Sequence, residues 1–194
     1  MRRIISAMQM SLDGFIEGPD GDLDWIENWE DSYDLMDQVD TCVLGGGMYP
    51  GYEQYWTSVL ADPKAVLPLT GKVPAKGEID YAAFADRTPH IVLSTTLERV
   101  AWKVARIEHD VEAVRRLKRQ PGKDIYAIGG AALVQGLINL GLVDEIRLTV
   151  HPVVLGRGKS LFAGVERRQH LRLVEAKPKA GGQAGQVGLV YTLT

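Results

Sequence analysis

The chain has 194 residues, of which 45% are hydrophobic and 24% are charged, and its formal net charge is -3. This length can bury a full core, so we expect a single domain over 1–194 with an ordinary globular composition. The weak negative charge does not indicate a basic surface for binding nucleic acid. The chain also has no run of about 18 apolar residues, the length that a membrane-spanning helix needs.

The cysteine and histidine content gives no sign of a metal site. Cys42 is the only cysteine, which excludes an internal disulfide and a cysteine-based zinc site, and its apolar surroundings predict a buried thiol. The four histidines share no metal-ligand spacing, so we expect no metal. Polar residues and Asp13 arrive too early for a secretory signal, which makes the cytoplasm the expected location.

The first forty residues predict a strand, a loop and a helix. Residues 3–10 alternate and predict a strand, and residues 11–25 form a long loop rich in Gly, Pro and Asp. Loops of this length in compact domains are often functional. Apolar residues then recur at helical spacing and predict a helix over 25–38 with an acidic outer face.

The middle of the chain predicts two more strands that end at polar or glycine-rich turns. Residues 41–44 form a short apolar run before Gly45-Gly-Gly47, and a helix is expected over 53–60. Pro50 stands where the dinucleotide fingerprint G-x-G-x-x-G needs glycine, so a plain Rossmann fold is not supported. After an aperiodic connection over 61–80 and a helical turn over 81–84, strands are expected over 90–93 and 100–104.

The stretch 124–141 predicts a strand, a double glycine and a helix without intervening residues. Residues 125–128 are apolar, Gly129 and Gly130 follow at once, and helical spacing begins at Ala131. A preceding helix is expected from a cap at Asp110 to about residue 120. The glycines permit close approach to the backbone, and the unpaired amides of a helix start favour an anion. The junction fits a phosphate or pyrophosphate site, or a tight turn with no ligand.

The last fifty residues predict antiparallel strands. Residues 144–154 are rich in β-branched side chains, and strands over 171–175 and 186–193 flank the glycine-rich turn 181–185. Residues 156–160 do not form a P-loop, because Val153 stands where that motif needs glycine. Strands separated by helices, with a final hairpin, predict an α/β fold whose sheet is mostly parallel with antiparallel strands at one edge.

Taken together, these pieces resemble the dihydrofolate reductase fold and, within it, the reductase domain of riboflavin biosynthesis. The resemblance rests on four stretches that span nearly the whole chain in order: Ser11-Leu-Asp-Gly14, Val43-Leu-Gly45 with Ile91-Val-Leu-Ser94, Ile128-Gly-Gly130, and Leu148 to Phe162. It implies a three-layer α-β-α architecture, a cis Gly129–Gly130 peptide and NADPH as cofactor. The zinc deaminase half that often accompanies this reductase is absent, since its cysteine pair is missing.

One departure from the family pattern concerns the cofactor. The fold usually places an arginine after the glycine at position 45, where it clamps the 2′-phosphate, but this chain has Gly46 and Gly47. Without a bidentate guanidinium, discrimination for NADPH over NADH is expected to be weak, and NADH remains possible. The resemblance implies the following cofactor contacts: Leu44, Gly45, Gly46, Ser94, Thr95, Ile128, Gly129, Gly130, Ala131 and Thr149.

The substrate side needs an acid that can hold a polar ring or relay a proton. Asp13 lies in the Ser-Leu-Asp-Gly stretch, and Glu30 lies roughly where the folate reductases keep their acid, although a loop aspartate is often only a turn former. Asp24, Trp25 and Arg157 are candidate substrate contacts.

The resemblance implies reduction of a pteridine-like or aminopyrimidine compound, as by 5-amino-6-(5-phosphoribosylamino)uracil reductase. The alternatives are a dihydrofolate reductase and a non-catalytic nucleotide- or flavin-binding protein. A two-fold homodimer is expected from base rates.

Overall fold

The computed structural model describes residues 1–31, 33–179 and 184–194. The chain forms two compact units, each built from separate segments of the sequence. The first unit comprises Met1–Arg2 and Asn28–Tyr126, and the second comprises Arg3–Glu27 and Ala127–Thr194. No helix of the described residues is long and apolar enough to cross a membrane.

Ten strands and four helices form the described part of the chain. The strands are β1 (Ile4–Ser11), β2 (Phe15–Glu17), β3 (Val39–Gly45), β4 (His90–Leu93), β5 (Ala105–Glu108), β6 (Asp124–Gly129), β7 (Glu145–His151), β8 (Lys159–Ser160), β9 (Leu171–Pro178) and β10 (Val187–Leu193). The helices are α1 (Tyr49–Ala61), α2 (Lys76–Ala85), α3 (Glu112–Arg119) and α4 (Ala131–Asn139).

The first unit contains a parallel set of strands in the order β5-β4-β3. Its core is aromatic: α1 buries Tyr49, Tyr52, Tyr55, Trp56 and Val59 along one face, at the spacing of an amphipathic helix. Pro50 lies in the first turn of α1, where its missing N–H breaks no helical hydrogen bond. Burial raises the pKa of the Cys42 thiol, which confirms the prediction of a buried cysteine.

The second unit orders its strands β1-β7-β10-β9. Strands β1 and β7 are parallel, whereas β10 is antiparallel to both β7 and β9. Strand β6 ends in this unit at Gly129 and leads directly into α4. The α/β class with a mostly parallel sheet and an antiparallel C-terminal hairpin is therefore confirmed. The predicted hairpin turn 181–185 lies mostly outside the described residues, since only 184 and 185 are described.

The predicted helix over 25–38 is wrong. No residue described in that range is helical, and the Asp31 carboxylate instead accepts hydrogen bonds from the backbone N–H groups of Tyr33, Leu35 and Met36 at 3.2, 2.6 and 2.8 Å. Such side-chain bonds offer the backbone an alternative to helical ones. Asp34 adds a left-handed conformation with φ of 56°. The helical spacing in the sequence therefore arises in an irregular segment.

Two further elements differ from the prediction. The strand expected over 100–104 lies instead at Ala105–Glu108, and the helical turn expected over 81–84 is part of the ten-residue helix α2. Helix α2 begins with a buried carboxylate: Glu78 Oε2 accepts from the Ala75 N–H at 2.9 Å. Helix α3 has Val111 and not the predicted Asp110 at its N-cap, although the Oδ1 of Asp110 accepts from the Glu112 N–H at 2.9 Å just before the helix.

Candidate active site

The carboxyl ends of β1 and β7 bring polar side chains of the second unit together. The two strands run parallel, with Gln9 opposite Thr149 and Ser11 opposite His151. Ligands of α/β sheets bind beyond the carboxyl ends of such strands. The predicted cofactor contact Thr149 is 1% exposed, so its side chain lies within this packed face and is not at the surface.

Asp13 joins two loops that leave these strand ends. Its Oδ1 accepts from the Ser11 hydroxyl at 2.7 Å and from the Leu155 N–H at 3.2 Å, and its Oδ2 accepts from the Gly156 N–H at 2.7 Å. The hydrogen bond from Ser11 is the main cause that lowers the pKa of Asp13 below its usual value, and the two backbone donors add to it. The carboxylate is exposed, ionised and used as an acceptor, which suits a positioning role better than proton donation.

His151 lies at the end of β7 between two glutamines. Its Nε2 is 2.7 Å from Gln9 Oε1, and its Nδ1 is 3.2 Å from Gln186 Nε2. The ring is fully buried, and the Trp25 ring meets it edge-on with centroids 5.1 Å apart and planes at 85°. The predicted substrate contact Trp25 is thus positioned by a buried histidine.

The double glycine after β6 forms a compact turn into α4. The Gly129–Gly130 peptide is cis, which confirms the prediction, and Gly129 has a φ of 136° that favours glycine. No side chain among the described residues caps the first amides of α4, and a Cβ placed on Gly130 would meet nothing within 4 Å. The start of α4 therefore has both unpaired donors and room beside them.

A second glycine-rich junction lies in the first unit, where β3 ends at Gly45 and β4 ends before Ser94. The Ser94 side chain packs directly on Gly46, so that a Cβ at Gly46 would collide with it, whereas a Cβ at Gly47 would meet nothing within 4 Å. Ser94 Oγ accepts from the N–H groups of Thr96 and Leu97 at 3.2 and 2.9 Å. Any side chain at position 46 would therefore require Ser94 to move.

Glu30 lies in the irregular segment of the first unit and packs against the first turn of α2. A Cβ on Gly77 would lie 2.8 Å from the Glu30 Cβ. A carboxylate beside a helix start is favourable, since the amides there carry partial positive charge. Neighbouring Glu78 is 5% exposed and accepts from the Trp29 N–H and the Tyr55 hydroxyl at 3.2 and 2.7 Å.

The family model for the RibD C-terminal domain matches residues 2–183. The chain belongs to this family. A relative, the uncharacterized protein YyaP of Bacillus subtilis (strain 168), is 38% identical over 193 residues, which cover 98% of this chain and 94% of the relative. The predicted resemblance to the riboflavin-biosynthesis reductases is confirmed at the level of the family.

Two solved structures share the fold of this RibD C-terminal domain. A putative riboflavin biosynthesis protein from Shewanella sp. PV-4 superposes with a TM-score of 0.70 at 20% identity, over 99% of both chains. A dihydrofolate reductase from Enterococcus faecalis, solved with NADP(H) and RAB-propyl, gives a TM-score of 0.63 at 17% identity over 99% of this chain and 96% of that one. Both likenesses support the dihydrofolate reductase-like fold.

Some of the other predicted site residues of this RibD-type domain lie at the surface, and others are buried. Asp24 and Arg157 are exposed, and Arg157 makes no hydrogen bond or ion pair with another described residue. Thr95 is also exposed, next to Ser94. Leu44 is fully buried in β3, and Ile128 and Ala131 are 5% exposed on either side of the glycine pair. Among the described residues, no group of three or more His, Cys, Asp or Glu side chains could hold a metal ion.

Sequence reasoning missed the glutamines of the His151 cluster. Gln9 lies within the apolar alternation of β1 and Gln186 precedes β10, so neither belongs to a motif. The available signal was an amide side chain two positions before the end of β1, whose other polar residues are only serines. The complete burial of His151 indicates a structural role, although its partner Gln9 is half-exposed.

Proposed function

We propose that this RibD-type domain is an NAD(P)H-dependent reductase of a planar heterocycle of the aminopyrimidine or pteridine class. The observation that carries the proposal is the junction of β6 and α4. Its first helical amides lack a side-chain cap, and a Cβ at Gly130 would meet nothing within 4 Å. A pyrophosphate needs both features, donors at a helix start and space for close approach. Family membership supports the same cofactor class.

NAD(P)H would supply the hydride, and the chain would supply binding and orientation. In the second unit, the backbone from Ile128 through Ala131 would hold the pyrophosphate, and Thr149 would face the nicotinamide side. In the first unit, the glycine-rich junction after β3 is a candidate contact for a cofactor phosphate by itself, through Leu44, Gly45, Gly46, Ser94 and Thr95. Ser94 Oγ accepts two backbone bonds, which leaves its hydroxyl proton to donate to a phosphate oxygen.

The substrate would contact residues of the second unit. Trp25 offers an aromatic surface beside the carboxyl ends of β1 and β7, and exposed Arg157 could pair with an anionic group such as a phosphate. Asp24 remains a candidate for a polar contact. Of the two candidate acids, Asp13 would hold the loops around residues 12 and 155 in place, and Glu30 is the alternative for proton handling.

The test is consumption of the reduced cofactor by the purified protein. NADPH and NADH are each supplied with an aminouracil ribosyl phosphate, with dihydrofolate, or with no substrate, and loss of the reduced-nicotinamide absorbance is followed. Turnover with the aminouracil compound supports the proposal, and turnover with dihydrofolate alone favours a folate reductase. Cofactor binding without turnover of any heterocycle supports a non-catalytic binding protein and contradicts the proposal.

A further inference from the structure

The last two strands of the second unit carry an apolar face that is exposed at the edge of the sheet. Strand β9 ends the strand order, and among the described strands it pairs only with β10. All eight residues of β9 are exposed. We propose that this face of β9 and β10 binds a second copy of the chain, face to face and about a two-fold axis. The inference concerns assembly, so it does not depend on the proposed reductase activity.

A β-bulge in β9 shifts the phase of its side chains. Residues directly opposite each other in an antiparallel pair lie on the same face of the sheet. Leu173 lies opposite Tyr191, whereas Glu175 lies opposite Val190, so Val174 is an extra residue in β9. Since Tyr191 and Val190 lie on opposite faces, Leu173 and Glu175 do as well. In a regular strand these two residues would share one face.

The bulge therefore separates the apolar residues of β9 from its charged ones. The first group shares one face with the odd-numbered residues of β10, and together they form what we call the apolar face: Leu171, Leu173, Ala176, Pro178, Val187, Leu189, Tyr191 and Leu193. The opposite face carries Arg172, Glu175 and Lys177, and the last two form an ion pair at 2.9 Å. This division of apolar and charged side chains is typical of a strand that buries one of its faces.

The burial of this side of the sheet decreases toward its edge. Ile146, Leu148 and Val150 of β7 continue the apolar face and are 3%, 5% and 9% exposed. The β10 residues of the apolar face are mostly half-buried. Leu171 and Leu173 of β9 are 42% and 53% exposed. Apolar surface thus continues beyond the covered part of the sheet, and contiguous exposed apolar surface is typical of an interaction site.

The edge of β9 is less suited than its face to bind another chain. The bulge interrupts the regular hydrogen-bonding pattern and increases the local twist. Pro178 at the end of the strand has no backbone N–H to donate, and Arg172 and Lys177 place charges beside the edge. All of these features oppose edge-to-edge pairing of strands. Packing of one sheet face on another, at a separation of about 10 Å, remains open to the apolar face.

Charge and area both favour a second copy of the chain as the partner. A two-fold axis brings a surface against itself, so charges of one sign near the axis would repel each other. The apolar face has no charged side chain. Covering its exposed part would bury roughly 500 Å² on each protomer, or about 1,000 Å² in the pair, which reaches the area of a specific interface.

The experiment measures the dissociation constant of the dimer by sedimentation equilibrium of the full chain. Leu173→Glu and Arg172→Glu form a matched pair, because they place the same side chain at neighbouring positions on opposite faces of β9. Leu173→Glu should raise the dissociation constant by at least about a hundredfold, since each dimer would bury two unpaired carboxylates. Arg172→Glu should change it by less than about threefold. The melting temperature of the wild type should rise with protein concentration, and that of Leu173→Glu should not.

Three results would overturn the inference. A wild type that remains monomeric throughout the micromolar range would leave the face to a different partner. A wild-type dimer that persists in Leu173→Glu would have to form through another surface. Equal weakening by Leu173→Glu and Arg172→Glu would indicate pairing through the edge. If Leu173→Glu does not fold, Leu171→Lys on the apolar face and Glu175→Lys on the opposite face make the same comparison, with the same outcomes deciding it.

Discussion

The carboxylate of Asp13 accepts a hydrogen bond from the backbone N–H of Gly156 at 2.7 Å, across 143 positions of sequence. Through this bond and those from Ser11 and Leu155, the Asp13 carboxylate holds two loops together. The bonds lower the pKa of Asp13 from its usual value of 3.8, so the carboxylate is ionised throughout the neutral range. A group of this kind is a poor proton donor near pH 7.

We therefore expect Asp13→Asn to act through geometry. The variant keeps one acceptor oxygen but turns an amide N–H toward one of the three donors, so KM should rise while the pH profile of kcat keeps its shape. Glu30→Gln should instead reduce kcat by about a hundredfold if Glu30 handles the proton. Steady-state kinetics of both variants across pH, with a thermal melt of each, separates the roles. Loss of an ionisation in the Asp13→Asn pH profile would contradict the positioning role.

The buried histidine of the first unit predicts a loss of stability in acid. Burial lowers the pKa of His90 from 6.5 to about 4. Because the unfolded chain binds a proton between these values and the folded chain does not, stability is complete above pH 6.5 and falls as the pH drops toward 4. The loss from this group should reach about 3 kcal/mol. Urea unfolding of wild type and His90→Phe at pH 7 and pH 4.5 measures it, and the same pH dependence in both would contradict the assignment.

We expect the removal of the buried carboxylate of Glu78 to cause a large loss of folding stability. Its carboxylate accepts from Trp29, Tyr55 and Ala75, and it is 5% exposed. Glu78→Ala should lower the free energy of unfolding by about 3 kcal/mol, because three donors lose their partner. Glu112→Ala is the matched control: that acid lies in the first turn of α3 and pairs with Arg115 at the surface, where a pair is worth about 0.5 kcal/mol. Equal losses in the two variants would contradict the burial argument.

The glycines after β3 predict weak discrimination between NADPH and NADH. We expect their dissociation constants to differ by no more than about tenfold, because position 46 carries glycine and so offers no guanidinium to pair with the 2′-phosphate. Gly47→Arg, which has open space for a Cβ, should favour NADPH, whereas Gly46→Arg would collide with Ser94 and should lower stability. Isothermal titration with both cofactors checks this. A thousandfold wild-type preference for NADPH would show that another cationic group replaces the arginine.

Sequence reasoning succeeded where consecutive residues form one continuous unit. It failed where a side chain competes for nearby backbone amides or where residues distant in sequence meet. The turn at Gly129 and Gly130 could be predicted because strand, glycines and helix follow one another directly. The helix over 25–38 was wrong because Asp31 binds nearby backbone amides, a competition that periodicity cannot reveal. Gln9 and His151 are 142 positions apart, so their hydrogen bond required the pairing of β1 with β7.

The central claim is that the amides at the start of α4 hold the pyrophosphate of a nicotinamide cofactor. The most direct measurement is titration of NADPH into wild type, Gly130→Val and Gly136→Val, with a melt of each protein. A Cβ at either glycine meets nothing within 4 Å, and only Gly130 lies at the helix start. We predict that Gly130→Val folds but loses at least about tenfold in affinity, while Gly136→Val binds as wild type does. Unchanged affinity in a folded Gly130→Val protein, or no NADPH binding by the wild type, would contradict the claim.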